Sequence, residues 1–177
     1  MNTAPVPSRA PPESAICAYL PGADFHDAWA IEAGDPSLSA LGQFLKAVAA
    51  TPGWVNGLMN LRNRAVALVG LKNLGALPGH KRSRPVGEYG PGQRVSIFTL
   101  IGNTEDEALL GDSDKHLDVT LSVHKARHSA ESATITVTTV VHIHNLLGRL
   151  YMLPVAPMHK LIVPVVLKAI GRQWHAV

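Results

Sequence analysis

Nine histidines in a chain of 177 residues are the first place to look for chemistry, because imidazole titrates near neutrality and ligates metals. Their spacing matters more than their number. In Asp114-Lys115-His116-Leu117-Asp118, and again in His142-Ile143-His144, the histidines and carboxylates recur at a spacing of two. If both stretches are strands of one hairpin turning near Ser129, even-numbered positions oppose even-numbered ones. A register that sets His116 against His142 gathers His116, His142 and His144 with Asp114 and Asp118 on one face. Two or three imidazoles and a carboxylate suit zinc or a similar metal. A register two residues away disperses them, and they are then ordinary surface side chains.

His159 is a different case, since it borders the apolar face of a C-terminal helical pattern. There it can be a structural histidine or a base facing a cavity. Arg62 borders a second apolar helical face, either as a surface arginine or as a cation closing a pocket onto an anionic group. Together with the hydroxyls of Tyr89 and Tyr151, these residues would offer an apolar ligand a cation, a titratable nitrogen and hydrogen bonds. Catalysis needs more, and no Ser/His/Asp or Cys/His grouping is identifiable from spacing. Gly87-Glu88-Tyr89-Gly90-Pro91-Gly92 matches neither the dinucleotide fingerprint nor a P-loop, and Pro91 removes a needed N–H. No cofactor is therefore expected.

The elements that must position these residues follow from periodicity. Residues 1–14, with Pro5, Pro7, Pro11 and Pro12, predict a flexible arm ahead of a single domain over residues 15–177. Leu20-Pro21-Gly22 is a turn leading into a short first strand that ends near Ile31. Leu38, Leu41, Leu45 and Val48 form the face of one helix, and a second pattern runs from Trp54 to about Leu71. Lys72 to Gln93 is rich in Gly and Pro and predicts a long loop. Beyond it the period falls to two, with strands over Val95–Ile101, Glu107–Leu110, Leu117–His124 and Thr134–His144 in an antiparallel meander. The chain closes with an apolar helix from Met158 onward, loosened at Pro164. Each strand has one apolar face, so the predicted fold is α+β: a curved antiparallel sheet gripping the C-terminal helix, with two shorter helices earlier in the chain.

Composition narrows the function classes. A chain that is 46% hydrophobic and 16% charged is globular, and its single cysteine excludes an internal disulfide or a cysteine-based zinc site. The net charge of +3 is unevenly spread, with Lys81-Arg82-Ser83-Arg84 as a basic cluster. No stacking aromatics accompany that cluster, so nucleic acid is not an expected partner. The N-terminal residues lack the apolar core of a signal peptide, and cytoplasm is the expected location. Arg149, His159 and Lys160 interrupt the C-terminal apolar run, so no transmembrane segment is expected.

Three groups of residues carry a family resemblance. They are Leu20-Pro21-Gly22-Ala23-Asp24-Phe25-His26-Asp27-Ala28, Leu58-Met59-Asn60-Leu61-Arg62-Asn63 with Gly70-Leu71-Lys72, and Gly148-Arg149-Leu150-Tyr151 followed by Pro157-Met158-His159-Lys160-Leu161-Ile162-Val163-Pro164. In this order they resemble the bacterial domain-of-unknown-function family DUF2867. That family is similar to the START/SRPBCC-like helix-grip superfamily, so the resemblance implies the same fold and carries no established chemistry. Met158 stands where the family commonly has Phe, which keeps bulk but removes an aromatic from any ligand contact there.

The functional expectation is a binding domain whose apolar cavity, between sheet and helix, accepts a small hydrophobic or amphipathic molecule. One alternative is an enzyme using His159 or Arg62 in acid–base work on a hydrophobic substrate. The other is a structural or interaction domain with a filled core.

Overall fold

A computed structural model of the chain describes residues 4–58 and 85–172. Within them, seven antiparallel strands form one open sheet: β1 (Val6–Pro7), β2 (Phe25–Glu32), β3 (Arg94–Val95), β4 (Phe98–Asn103), β5 (Glu107–Ser113), β6 (Leu117–Arg127) and β7 (Ala133–Ile143). The spatial order is β1-β2-β7-β6-β5-β4-β3, so the meander from β3 to β7 is extended by the N-terminal strands on its far side. Among the described residues three α-helices accompany the sheet: α1 (Ala40–Ala49), α2 with residues 53–58 described, and the long α3 (Leu146–Leu167). The α+β arrangement of antiparallel sheet, C-terminal helix and two shorter helices is the one the residue pattern predicts.

The longest ladder joins β6 to β7, where β-branched residues fill most of β7 and Leu117 pairs with Ile143 at one end, Arg127 with Ala133 at the other. Because side chains alternate, the odd-numbered residues of β2, β6 and β7 share one face. Ile31, Leu121, Val123, Ile135 and Val137 on that face join Ala108 and Leu110 of β5 in the main core. Helix α1 covers this core with Leu41, Phe44 and Val48, and the end of α3 adds Leu167. Ser39 starts α1 by accepting the Gly42 amide at its hydroxyl, 3.2 Å away.

The opposite face is covered too, where alternation alone suggests water. Ile16 and the partly buried Tyr19 and Leu20 pack on Leu109 and Val140, burying Thr120, Ser122, His124, Thr136 and Thr138. The proline-rich start of the chain, expected as a free arm, is attached at several points. Val6 and Pro7 pair with Ala30 and Trp29, and the Ser8 amide donates to the Ala28 carbonyl at 2.8 Å. Proline suits this position because β1 is an edge strand.

Three local differences from the predicted elements have identifiable causes. Val95–Ile101 is not one strand: Ser96, at φ 59, turns the chain between β3 and β4. β5 continues to Ser113, since Asp112 and Ser113 still pair with Val119 and Asp118, and the turn falls on Asp114 instead. Most consequentially, α3 starts at Leu146 rather than Met158. Asn145 sets its beginning by accepting the Gly148 amide at 3.1 Å. Pro154, Pro157 and Pro164 are all accommodated inside the helix. The helix is gripped along one side only, with Gly148, Met152 and Leu167 its buried residues.

Candidate functional site

The observed β6–β7 register places Asp118 opposite His142, two residues away from the alignment that would have assembled a metal site. Each histidine takes its own partner instead. His116 Nδ1 donates to Asn145 Oδ1 at 3.1 Å, and Asn145 Nδ2 donates to the Lys115 carbonyl at 2.9 Å. His116 thus helps fix the residue that caps α3. His142 Nε2 donates to the Tyr19 carbonyl at 2.8 Å and holds the N-terminal segment on the sheet. His144 Nε2 lies 3.0 Å from Asp118 Oδ2 near the open end of the hairpin. Among the described residues, no three His, Cys, Asp or Glu side chains are grouped to hold a metal ion.

His159 lies in a different setting. It projects from the middle of α3 toward β2, with Nε2 3.1 Å from Asp27 Oδ1. An ionised carboxylate only accepts, so Nε2 carries the proton and Nδ1 is left as the basic nitrogen of the neutral ring. The other Asp27 oxygen, Oδ2, accepts from Trp29 Nε1 at 3.2 Å. Phe25 meets the His159 ring edge-on, with centroids 5.7 Å apart. The side chains of His159 and Asp27 are 24% and 12% exposed, so the pair is shielded without being sealed.

Strand geometry explains the grouping. Phe25, Asp27, Trp29 and Ile31 are alternate residues of β2 and point to the face that carries α1 and α3. On α3, Met152, Val155, His159, Val163 and Val166 recur at helical spacing along one side. Met152 and Val155 pack in a small cluster with Leu117 and Val141, whereas Val163, Val166 and Leu167 pack on the main core. The Asp27–His159 pair therefore occupies the interval between two separate apolar clusters.

Of the other predicted ligand residues, Tyr151 packs on the smaller cluster, which Phe25 also joins. Tyr89 lies elsewhere, against the main core near the short turn Val86–Glu88. Arg62 and the basic cluster Lys81–Arg84 fall outside the described residues. Asp27 and Trp29 were not singled out as site residues from the sequence. The usable signal was an acidic residue on the apolar face of a strand, between Phe25 and Trp29 at a period of two.

Chemically, a carboxylate that fixes one imidazole nitrogen leaves the other placed to accept or deliver a proton, or to hydrogen-bond an acidic group. The two aromatics and the flanking aliphatic clusters would suit an apolar body attached to that group.

No curated protein and no solved structure matches the chain. A family model does, over residues 19–166, which include β2, the whole of β4 to β7 and nearly all of α3. The Asp27–His159 pair lies inside that span, and the chain belongs to the family described as Protein of unknown function (DUF2867).

Proposed function

We propose that this domain binds a small hydrophobic or amphipathic molecule between the sheet and α3, with the Asp27–His159 pair as its polar anchor. The observation that carries this reading is the break in the core at that pair. Two apolar clusters grip the ends of α3, while its middle turn presents a half-shielded imidazole beside Phe25 and the Asp27 carboxylate that Trp29 shares. A kinship with START/SRPBCC-like helix-grip domains belongs to this reading, because that architecture sets a ligand in the same position. A cytoplasmic location is part of the proposal as well.

Native mass spectrometry of the purified full chain, followed by organic extraction, tests it directly. A reproducible extra mass of small-lipid size is expected. Uptake of anilinonaphthalene sulfonate or of a fluorescent fatty acid should weaken about tenfold in His159→Ala, the scale of one charge-assisted hydrogen bond. A bare polypeptide mass with no uptake of either probe would sink the reading.

A second reading is favoured by one specific feature, the orientation of His159 by a carboxylate. In it the domain is an enzyme, and Nδ1 acts as general base on a bound hydrophobic substrate. His159→Gln then abolishes turnover of that substrate while leaving its binding within a fewfold of wild type.

A further inference from the structure

The side of α3 that faces away from the sheet is apolar and exposed. Leu146, Leu150, Leu153 and Leu161 fall along one stripe of the helix and are 70%, 54%, 71% and 71% exposed. The stripe is about 22 Å long at the helical rise. Arg149 and Lys160, three turns apart and so on one line, edge the stripe, and both are exposed. Lys168 and Arg172 are exposed just beyond its C-terminal end. From Leu146 to Arg172 the chain has four cations and no carboxylate.

We propose that this stripe docks on an anionic membrane surface, with α3 lying in the plane of the interface. Charge selects the partner. Leucines rimmed by lysine and arginine alone are complementary to acyl chains beneath anionic headgroups. A second copy of the same face would set cations against cations.

Two features favour a helix that lies on the bilayer over one that crosses it. By length and composition α3 could span a membrane. However, Pro154, Pro157 and Pro164 deprive the carbonyls of Leu150, Leu153 and Lys160 of their intrahelical amide donors. Such carbonyls are costly in hydrocarbon and inexpensive at a wet interface. The inner side of α3 is also engaged, through Met152, Leu167 and the His159–Asp27 contact, and spanning would undo all three.

Flotation of the full chain with vesicles is the test, using phosphatidylcholine alone and phosphatidylcholine mixed equally with phosphatidylglycerol. Wild type should float with the anionic vesicles and detach as salt is raised. Leu153→Glu with Leu161→Glu should weaken binding about a hundredfold, and Arg149→Gln and Lys160→Gln about fivefold each. Because all four side chains are exposed, these variants should keep the wild-type melting temperature. Failure of wild type to float, or equal binding to both vesicle types, would overturn the proposal. So would a wild-type dimer that the double leucine variant makes monomeric, or a large loss of melting temperature in that variant, since either would mean protein already covers the stripe.

Discussion

Gly148 crosses the His116 carbonyl so closely that a Cβ at position 148 would stand 2.5 Å from the carbonyl oxygen and 2.8 Å from Ile143 Cγ2. The first turn of α3 is thus laid directly on the residue preceding β6. Asn145 holds the same junction, accepting from both His116 Nδ1 and the Gly148 amide. Gly148→Ala should destabilise the domain by about 1–3 kcal/mol, as overpacking does, even though alanine is the better helix former by about 1 kcal/mol. Denaturant titration would show it. A neutral or stabilising substitution would mean that α3 does not start where the contact requires.

The far end of α3 is secured by a lysine. Lys46 of α1 donates to the Arg172 carbonyl at 2.6 Å and to the Ile170 carbonyl at 3.3 Å, just past the helix C-terminus. Burial pulls its pKa down, and the nearby Asp35 charge only partly opposes that. Lys46→Met should cost about 1–3 kcal/mol by removing the donor from these carbonyls. The folded-state pKa is below the unfolded one, so wild-type stability should rise as pH climbs from the folded value toward 10.5. The methionine variant lacks that rise, and the gap between the two should widen over the same interval. Melting curves at neutral and alkaline pH would decide it.

Asp27 is the keystone of the candidate site because it serves two donors, Trp29 Nε1 and His159 Nε2. Replacing it with alanine leaves both without that acceptor and should cost about 1–3 kcal/mol. A double-mutant cycle between Asp27→Ala and His159→Ala should return a coupling of about 1 kcal/mol. Zero coupling would mean that the two side chains share a location without an interaction. Tryptophan fluorescence should also shift in Asp27→Ala and stay near wild type in His159→Ala.

How much of this was legible in the sequence depends on the range of the interaction. Strands β6 and β7 announce themselves through alternation and β-branching, and the layer arrangement follows from their apolar faces. The register does not, since two residues either way keep the faces matched, and the metal hypothesis turned on that difference. The start of α3 was hidden because Pro157 suits the first turn of a helix, while the capping Asn145 is informative only once a helix is known to follow. The Asp27–His159 contact joins residues 132 apart, and only the docking of α3 across β2 brings them together. Covering of the second face by Ile16 and Tyr19 was equally out of reach, because the residue types of so short a segment do not say which face of the sheet it packs on.

That covering segment should be the acid-sensitive part of the fold. Glu107 of β5 accepts hydrogen bonds from the Ser14 hydroxyl, from the Ser122 hydroxyl at 2.6 Å and from the Ala15 amide at 3.0 Å. His124 lies close enough to act on it electrostatically, and His124 Nε2 is itself 3.8 Å from Glu13. Burial pushes the Glu107 pKa up, but the hydrogen bonds from Ala15, Ser122 and Ser14 and the His124 charge together outweigh it, leaving the value below 4.5. A depressed carboxylate contributes stability that is fully present above the unfolded pKa and is lost as pH falls through the folded one. Wild type should therefore lose melting temperature below pH 4.5 faster than Glu107→Gln does. The variant, which starts about 1–2 kcal/mol lower at neutral pH, should converge with wild type in acid. In the same acid range the Ala15 and Ile16 amides of wild type should lose hydrogen-exchange protection before those of β6 and β7. Parallel pH curves for the two proteins would remove Glu107 as the latch and leave the apolar contacts of Ile16 to hold the segment alone.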